Sequence, residues 1–112
     1  MNKINIVGGS GFVGSKLISQ LSVKNCSNLD KKPSPFFNEI TNIGDIRYQD
    51  QIKLNSNSNF VVLLAAEHKD DVSPASLYYD VNVNGTKNVL NSMDNIGIKN
   101  LIFTSSVAIY GL

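Results

Sequence analysis

The stretch KINIVGGSGFVGSKLISQL, residues 3–21, constrains the fold of this 112-residue chain more than any other. Its first part is a short β-branched run closed by glycines, the pattern of a buried strand. The apolar residues that follow, Val13, Leu17, Ile18 and Leu21, fall at helical spacing. The chain therefore passes from a strand through a glycine-rich turn directly into a helix. Gly8, Gly11 and Gly14 form GxxGxxG in that turn. One such glycine permits the tight turn off the strand, one lets a pyrophosphate approach the backbone, and one lets helix and strand pack closely. The helix then offers unpaired N–H groups and the positive end of its dipole to phosphate. A βα turn that binds nothing is the plainer alternative. Residue order speaks against a triphosphate-binding loop: Gly9 and Gly14 have the right separation, but Ser15 precedes Lys16. Shifting the lysine by one helical position turns it about 100° from the phosphate cradle.

Beyond this unit the pattern keeps alternating. KNCSNLD is a poor strand on propensity, yet a second strand is expected near residues 28–30. The two prolines of KKPSPFF exclude regular structure there. NEITNIGDI holds either a third strand or an irregular turn, and YQDQIKL can make a short helix before the polar loop NSNSN. FVVLLAA is a continuous apolar run, as in a parallel strand covered on both faces. A long helix follows, with Ser73 as N-cap, Pro74 at its first position and Gly97 at its C-terminal cap. Leu77, Val81, Val89, Met93 and Ile96 track one broad face of it. NLIFTSS is the last strand. Strands alternating with helices imply right-handed crossovers and a doubly wound α/β fold, with a mostly parallel sheet of about five strands.

Composition narrows the partners only a little. A hydrophobic fraction of 42% speaks against disorder, and a formal charge of +1 creates no field that would draw in nucleic acid. Cys26, the single cysteine, cannot form an intrachain disulfide. The apolar stretch at the amino terminus is too short for a signal peptide, and no run reaches the roughly 20 residues that cross a bilayer. A cytoplasmic chain is expected, with neither nucleic acid nor membrane as partner.

A dinucleotide requires an acidic residue about 20 positions past the glycines to hold an adenosine ribose. Asp30 lies in that window. Its carboxylate would accept bonds from both ribose hydroxyls and repel a 2′-phosphate, which favours NAD over NADP. Lys31 and Lys32 weaken that preference, because either could pair with the phosphate. The other reading of Asp30 is a solvated loop acid.

Four stretches stand in order along the chain: GGSGFVG, GDI, LLAAEH with YYDVNVNGTKNVL, and FTSSVAIYG. Together they resemble the amino-terminal half of an extended short-chain dehydrogenase/reductase, of the NAD-dependent nucleotide-sugar epimerase/dehydratase kind. The resemblance covers nearly all of residues 1–112 and implies one dinucleotide-binding Rossmann domain, incomplete and without its substrate-binding region. It implies that Phe12 and Val13 present backbone to the pyrophosphate, and that Asp45 and Ile46 border the adenine. Leu64, Ala65 and Ala66 would pass under the cofactor, although the two alanines could instead be helix contacts. His68 would face cofactor or substrate, or be a lone surface histidine. Asn82 matches an asparagine near the nicotinamide, whereas Asn84 is expected on the exposed side of its helix.

In the last stretch the resemblance assigns Ser106 as the catalytic hydroxyl and puts Thr104 and Ser105 beside the nicotinamide ribose. That hydroxyl would bond the substrate oxygen while hydride moves between sugar and nicotinamide, the cofactor carrying the redox step. A serine that merely caps the strand end is the alternative. Tyr110 matches a structural tyrosine and not the general base. The family's base is a tyrosine four residues before a lysine, whose charge lowers the phenol's pKa. No Tyr-x-x-x-Lys occurs in these 112 residues. The expectation is therefore the cofactor-binding part of a longer nucleotide-sugar enzyme, which by itself binds dinucleotide weakly or not at all and catalyses nothing, with a last-strand edge that invites a homo-oligomer. A non-catalytic dinucleotide sensor and a plain interaction module stay open.

Overall fold

The computed structural model describes residues 3–64 and 80–104. Five strands, β1 (Ile4–Val7), β2 (Cys26–Asp30), β3 (Thr41–Ile43), β4 (Phe60–Leu63) and β5 (Asn100–Phe103), form one sheet in the order β3-β2-β1-β4-β5. Every pairing is parallel, with Ile4 opposite both Cys26 and Phe60. The chain thus starts at the sheet's centre, builds outward through β2 and β3, and then crosses to the other side of β1 for β4 and β5. That reversal places a crevice outside the carboxyl ends of β1 and β4.

Alternate strand residues feed two cores. On one face Val7, Leu29, Val61 and Leu63 meet Val89 and Met93 of the helix at Thr86–Ile96, Val81 just before it and Ile98 beyond it. On the other, Ile6, Cys26 and Val62 meet Ile18 of α1 (Phe12–Leu21). The doubly wound parallel α/β fold expected from the sequence is the fold observed. Helix α1 differs from its periodic reading at one end: Ile18 is buried, but Val13 is 62% exposed and projects from the first turn. The core-facing residue of that turn is Gly14, which is buried against the glycine turn.

The segment read as one long helix enters the described residues as a π-helical stretch, Asp80–Gly85, and continues as α2, Thr86–Ile96. The wider π turn lets Ile46 seat on Gly85, where a Cβ would come within 2.6 Å of the Ile46 side chain. The Thr86 hydroxyl donates to the Asn82 carbonyl at 2.8 Å across the junction. Ile96 is 38% exposed, so the buried stripe of α2 ends at Met93. Ser73, Pro74 and Leu77, assigned to the start of this helix, lie outside the described residues. YQDQIKL contains only a 3-10 turn at Gln49–Gln51, and β3 resolves the ambiguity of NEITNIGDI as a short edge strand.

The second strand is where propensity misleads most. Cys26–Asp30 is a full member of the sheet, paired on both sides. Asn28, the residue least suited to a strand, is only 1% exposed and has its polar atoms bonded inside the protein.

Candidate functional site: a cleft at the carboxyl edge of the sheet

The glycines divide the work of the first turn. Gly8 has φ +89°, a left-handed conformation open to glycine, and its N–H donates to the Leu29 carbonyl at 2.7 Å. A Cβ on Gly14 would lie 2.3 Å from the Gly9 Cα, so this position sets how closely α1 approaches the turn. Gly11 caps the helix with φ −81°, and a Cβ there would meet nothing within 4 Å. Gly11 also lines a cleft of about 930 Å³.

Hydrogen bonds decide which amides remain for a ligand. Gly9 donates its N–H inward to Asn28 Oδ1 at 2.9 Å, and Ser10 donates its N–H to Asp30 Oδ2 at 2.9 Å. The first helical bond of α1 runs from Ser15 N–H to the Gly11 carbonyl at 2.9 Å. The amides of Gly11, Phe12, Val13 and Gly14 precede it, and a helix provides no acceptor for its first four N–H groups. With the dipole's positive end they form an anion cradle at the cleft wall.

Asp30 closes the neighbouring side. Its Oδ2 holds Ser10 and its Oδ1 accepts the Lys32 N–H at 3.0 Å, so the carboxylate is locked at the end of β2 with lone pairs left over. Asp30, Lys31 and Lys32 all line the cleft. Further round, Asp45 and Ile46 line it from the loop after β3. Arg47 binds the Asp45 carboxylate through Nη2 at 2.7 Å and Nε at 3.1 Å. Burial alone would push the Asp45 carboxyl up; the hydrogen bonds from the Arg47 side chain and backbone, with the charges of Arg47 and Lys31, outweigh it and hold the carboxyl below its ordinary value. Ile46 is anchored by Asn88, whose amide donates to its carbonyl at 2.8 Å.

Leu64 and Thr104 line the remaining wall, where the ladder continues past the strands through Leu64 N–H to the Val7 carbonyl at 2.7 Å. Of the residues singled out in the sequence, Gly8, Gly11, Phe12, Val13, Gly14, Asp30, Asp45, Ile46, Leu64 and Thr104 therefore share one cleft. Asn82 does not line it; its neighbour Val81 does. Ala65, Ala66, His68, Ser105, Ser106 and Tyr110 lie outside the described residues. Ser10, Asn28 and Arg47 shape the site and were not singled out. The signal for Asn28 was the two-residue period of CSNLD, which puts it on the same sheet face as Ile6 and directly under the turn.

An open parallel sheet with a glycine-capped helix and an acid at its carboxyl edge defines the class: a doubly wound α/β domain that takes its ligand at the topological switch point. Within that class, the chain belongs to the NAD dependent epimerase/dehydratase family, which it matches over residues 4–112. It is 55% identical, over 99% of its own length, to the N-acetyl-α-D-glucosaminyl-diphospho-ditrans,octacis-undecaprenol 4-epimerase of Escherichia coli O157:H7, and spans 34% of that protein. It is 32% identical to a UDP-glucose 4-epimerase of Klebsiella pneumoniae over 97% of this chain and 92% of that sequence. Among solved structures, a UDP-glucose 4-epimerase superposes over 99% of the chain and 37% of its own, with a TM-score of 0.83 at 26% identity. The UDP-glucose 4-epimerase of Brucella ovis in complex with NAD gives 0.78 at 25% identity, over 100% of this chain and 38% of that one. The chain thus spans about a third of the E. coli relative. No described helix is long and apolar enough to cross a membrane.

Proposed function

We propose that the cleft binds NAD, and that these residues form the cofactor site of an epimerase acting on a diphosphate-linked sugar. The observation that carries the reading is Gly11: its N–H and those of Phe12, Val13 and Gly14 head a helix, and the space a Cβ would take is open. A diphosphate fits there on charge and on donor geometry. Asp30, locked by its two amide donors, takes the adenosine ribose, and Asp45 and Ile46 border the adenine. Leu64 and Thr104 line the same cleft, on the side proposed for the nicotinamide half. The family resemblance would add Ala65 and Ala66 beneath the dinucleotide, Ser105 at the nicotinamide ribose and His68 facing cofactor or substrate. Asn82, which does not line the cleft, has no role in this reading.

A bound nicotinamide would supply the acceptor and donor of hydride for a sugar carbon. Ser106 would hold the sugar oxygen by its hydroxyl during that transfer. The substrate class follows the relatives' names: the sugar is carried by a nucleoside diphosphate in one group and by a polyprenyl diphosphate in the E. coli relative. A tyrosine–lysine pair is also required to move the hydroxyl proton, and the 112 residues contain none in Tyr-x-x-x-Lys spacing. They are proposed to bind cofactor without turnover by themselves, in the cytoplasm.

The test is calorimetric titration of the purified protein with NAD and NADP. NAD binding with weaker NADP binding supports the reading; no heat with either removes it. A second copy is proposed to pair along β5, an edge among the described strands with Ile102 and Phe103 each 52% exposed. A monodisperse monomer in light scattering at high concentration would count against that pairing.

A further inference from the structure

Asn28 sits at a buried position of β2, under the glycine turn, where a polar side chain opposes folding unless its partners require it. Both ends of its carboxamide are bonded. Oδ1 accepts the Gly9 N–H at 2.9 Å, while Nδ2 donates to Ser10 Oγ at 3.3 Å and to Thr41 Oγ1 at 3.0 Å. The two hydroxyls fix the amide's direction. Ser10 donates its one hydroxyl proton to the Lys32 carbonyl at 2.8 Å, and Thr41 donates its own to the Phe37 carbonyl at 2.7 Å. Each can therefore offer Asn28 only a lone pair. An isosteric aspartate would turn an acceptor oxygen toward two oxygens with no proton left to give.

We propose that Asn28 is the positioning residue of the diphosphate-binding turn. It pulls the Gly9 amide inward, so that the chain reverses and the next free amides, from Gly11 onward, point into the cleft. Through Ser10 and Thr41 it also ties the turn to the loop 31–37 on the side of the cleft where Asp30 and the two lysines lie. The tight fit at Gly9 belongs to the same device, since a Cβ there would come within 2.3 Å of Asn28 Oδ1. The inference rests on the dinucleotide reading for its ligand, but not for its geometry.

The test compares Asn28→Leu and Thr41→Val with a control, Asn5→Ala. Thr41 does not line the cleft, and Asn5 is a second buried strand asparagine whose bonds go to the Asn55 backbone, away from the cleft. Affinity for NAD and for ADP-ribose is read by calorimetry, and the Gly9 and Gly11 amides by proton–nitrogen NMR and hydrogen exchange. N28L and T41V are expected to weaken both ligands about tenfold, the effect of losing roughly one hydrogen bond of preorganisation. They should also speed exchange at Gly9 and shift the Gly11 resonance. N5A should lower stability and leave ligand affinity and both amides unchanged. Wild-type affinity in T41V with an unaltered Gly9 amide overturns the proposal, as does an equal affinity loss in N5A. Should N28L not fold, T41V against N5A decides. If the wild type binds no NAD, the functional reading fails, and the Gly9 and Gly11 amides still report whether Asn28 positions the turn.

Discussion

Gly14 packs against Gly9 so closely that a Cβ on Gly14 would lie 2.3 Å from the Gly9 Cα and 2.6 Å from its carbonyl carbon. Both obstructing atoms are backbone, so neither can swing aside. Gly11, three residues earlier, has open space where its Cβ would stand and an ordinary φ of −81°. Gly14→Ala is therefore expected to destabilise the fold by about 2–3 kcal/mol through overpacking. Gly11→Ala should cost no more than about 1 kcal/mol, the loss of a tolerated N-cap, yet weaken NAD binding at least tenfold by filling the diphosphate's approach. Urea unfolding beside calorimetry separates the two; comparable stability losses in both variants would contradict the division of roles.

How much of this was legible beforehand depends on whether a residue's role is local. The strand–turn–helix unit at residues 4–21 was readable because its glycines, its β-branched run and its helical period agree with one another. Asp30 was readable because its distance from the glycines is set by one βαβ unit. Strand β2 was not, since Asn28 is stabilised by Gly9, Ser10 and Thr41, partners 13 to 19 positions away that no propensity contains. The π-helical turn at Asp80–Gly85 was invisible for the same reason: it exists where Ile46 meets Gly85, a contact between distant segments. Val13 misled because a helical period does not say that the first turn of α1 faces the cleft.

The carboxylate of Asp30 holds the Ser10 and Lys32 amides and lines the cleft, where the proposed function gives it the ribose to read. Asp30→Asn keeps one carbonyl oxygen for an amide but loses the negative charge that repels a 2′-phosphate. With Lys31 and Lys32 beside it, the variant should bind NADP better and NAD worse, shifting the preference about tenfold or more. Paired titrations of wild type and variant measure the ratio. An unchanged ratio would mean that Asp30 serves the turn alone.

Helix α2 ends at Gly97, whose φ is +79° and whose N–H donates back to the Asp94 carbonyl at 3.3 Å. The next residue, Ile98, donates to the Met93 carbonyl at 2.9 Å and buries its side chain in the core. A left-handed cap so tied cannot relax when a side chain is added. Gly97→Ala should cost about 1 kcal/mol with no effect on NAD affinity, because nothing at this end of the helix borders the cleft. Thermal unfolding and one titration check both halves.

Asp45 and Arg47 form an ion pair at the cleft, at 2.7 Å between Nη2 and Oδ2. The guanidinium also lies 5.4 Å from the centre of the Tyr48 ring, which limits its freedom to leave. Because the folded state holds the Asp45 carboxyl below its ordinary value of 3.8, the folded form binds the carboxylate's proton less readily than the unfolded chain does. The pair's contribution is then fully present above the unfolded value and is lost as pH falls through the folded one. Asp45→Asn should be less stable than wild type by up to about 1 kcal/mol at pH 7, the range for a partly exposed pair. The two stability curves should converge as the pH drops below the ordinary carboxylate range, because both chains then carry a neutral residue 45. Urea midpoints for wild type and D45N from pH 7 down to the acid limit provide the comparison. A difference that stayed constant across that interval would show that the substitution acts through shape or the Arg47 backbone contact, and not through charge.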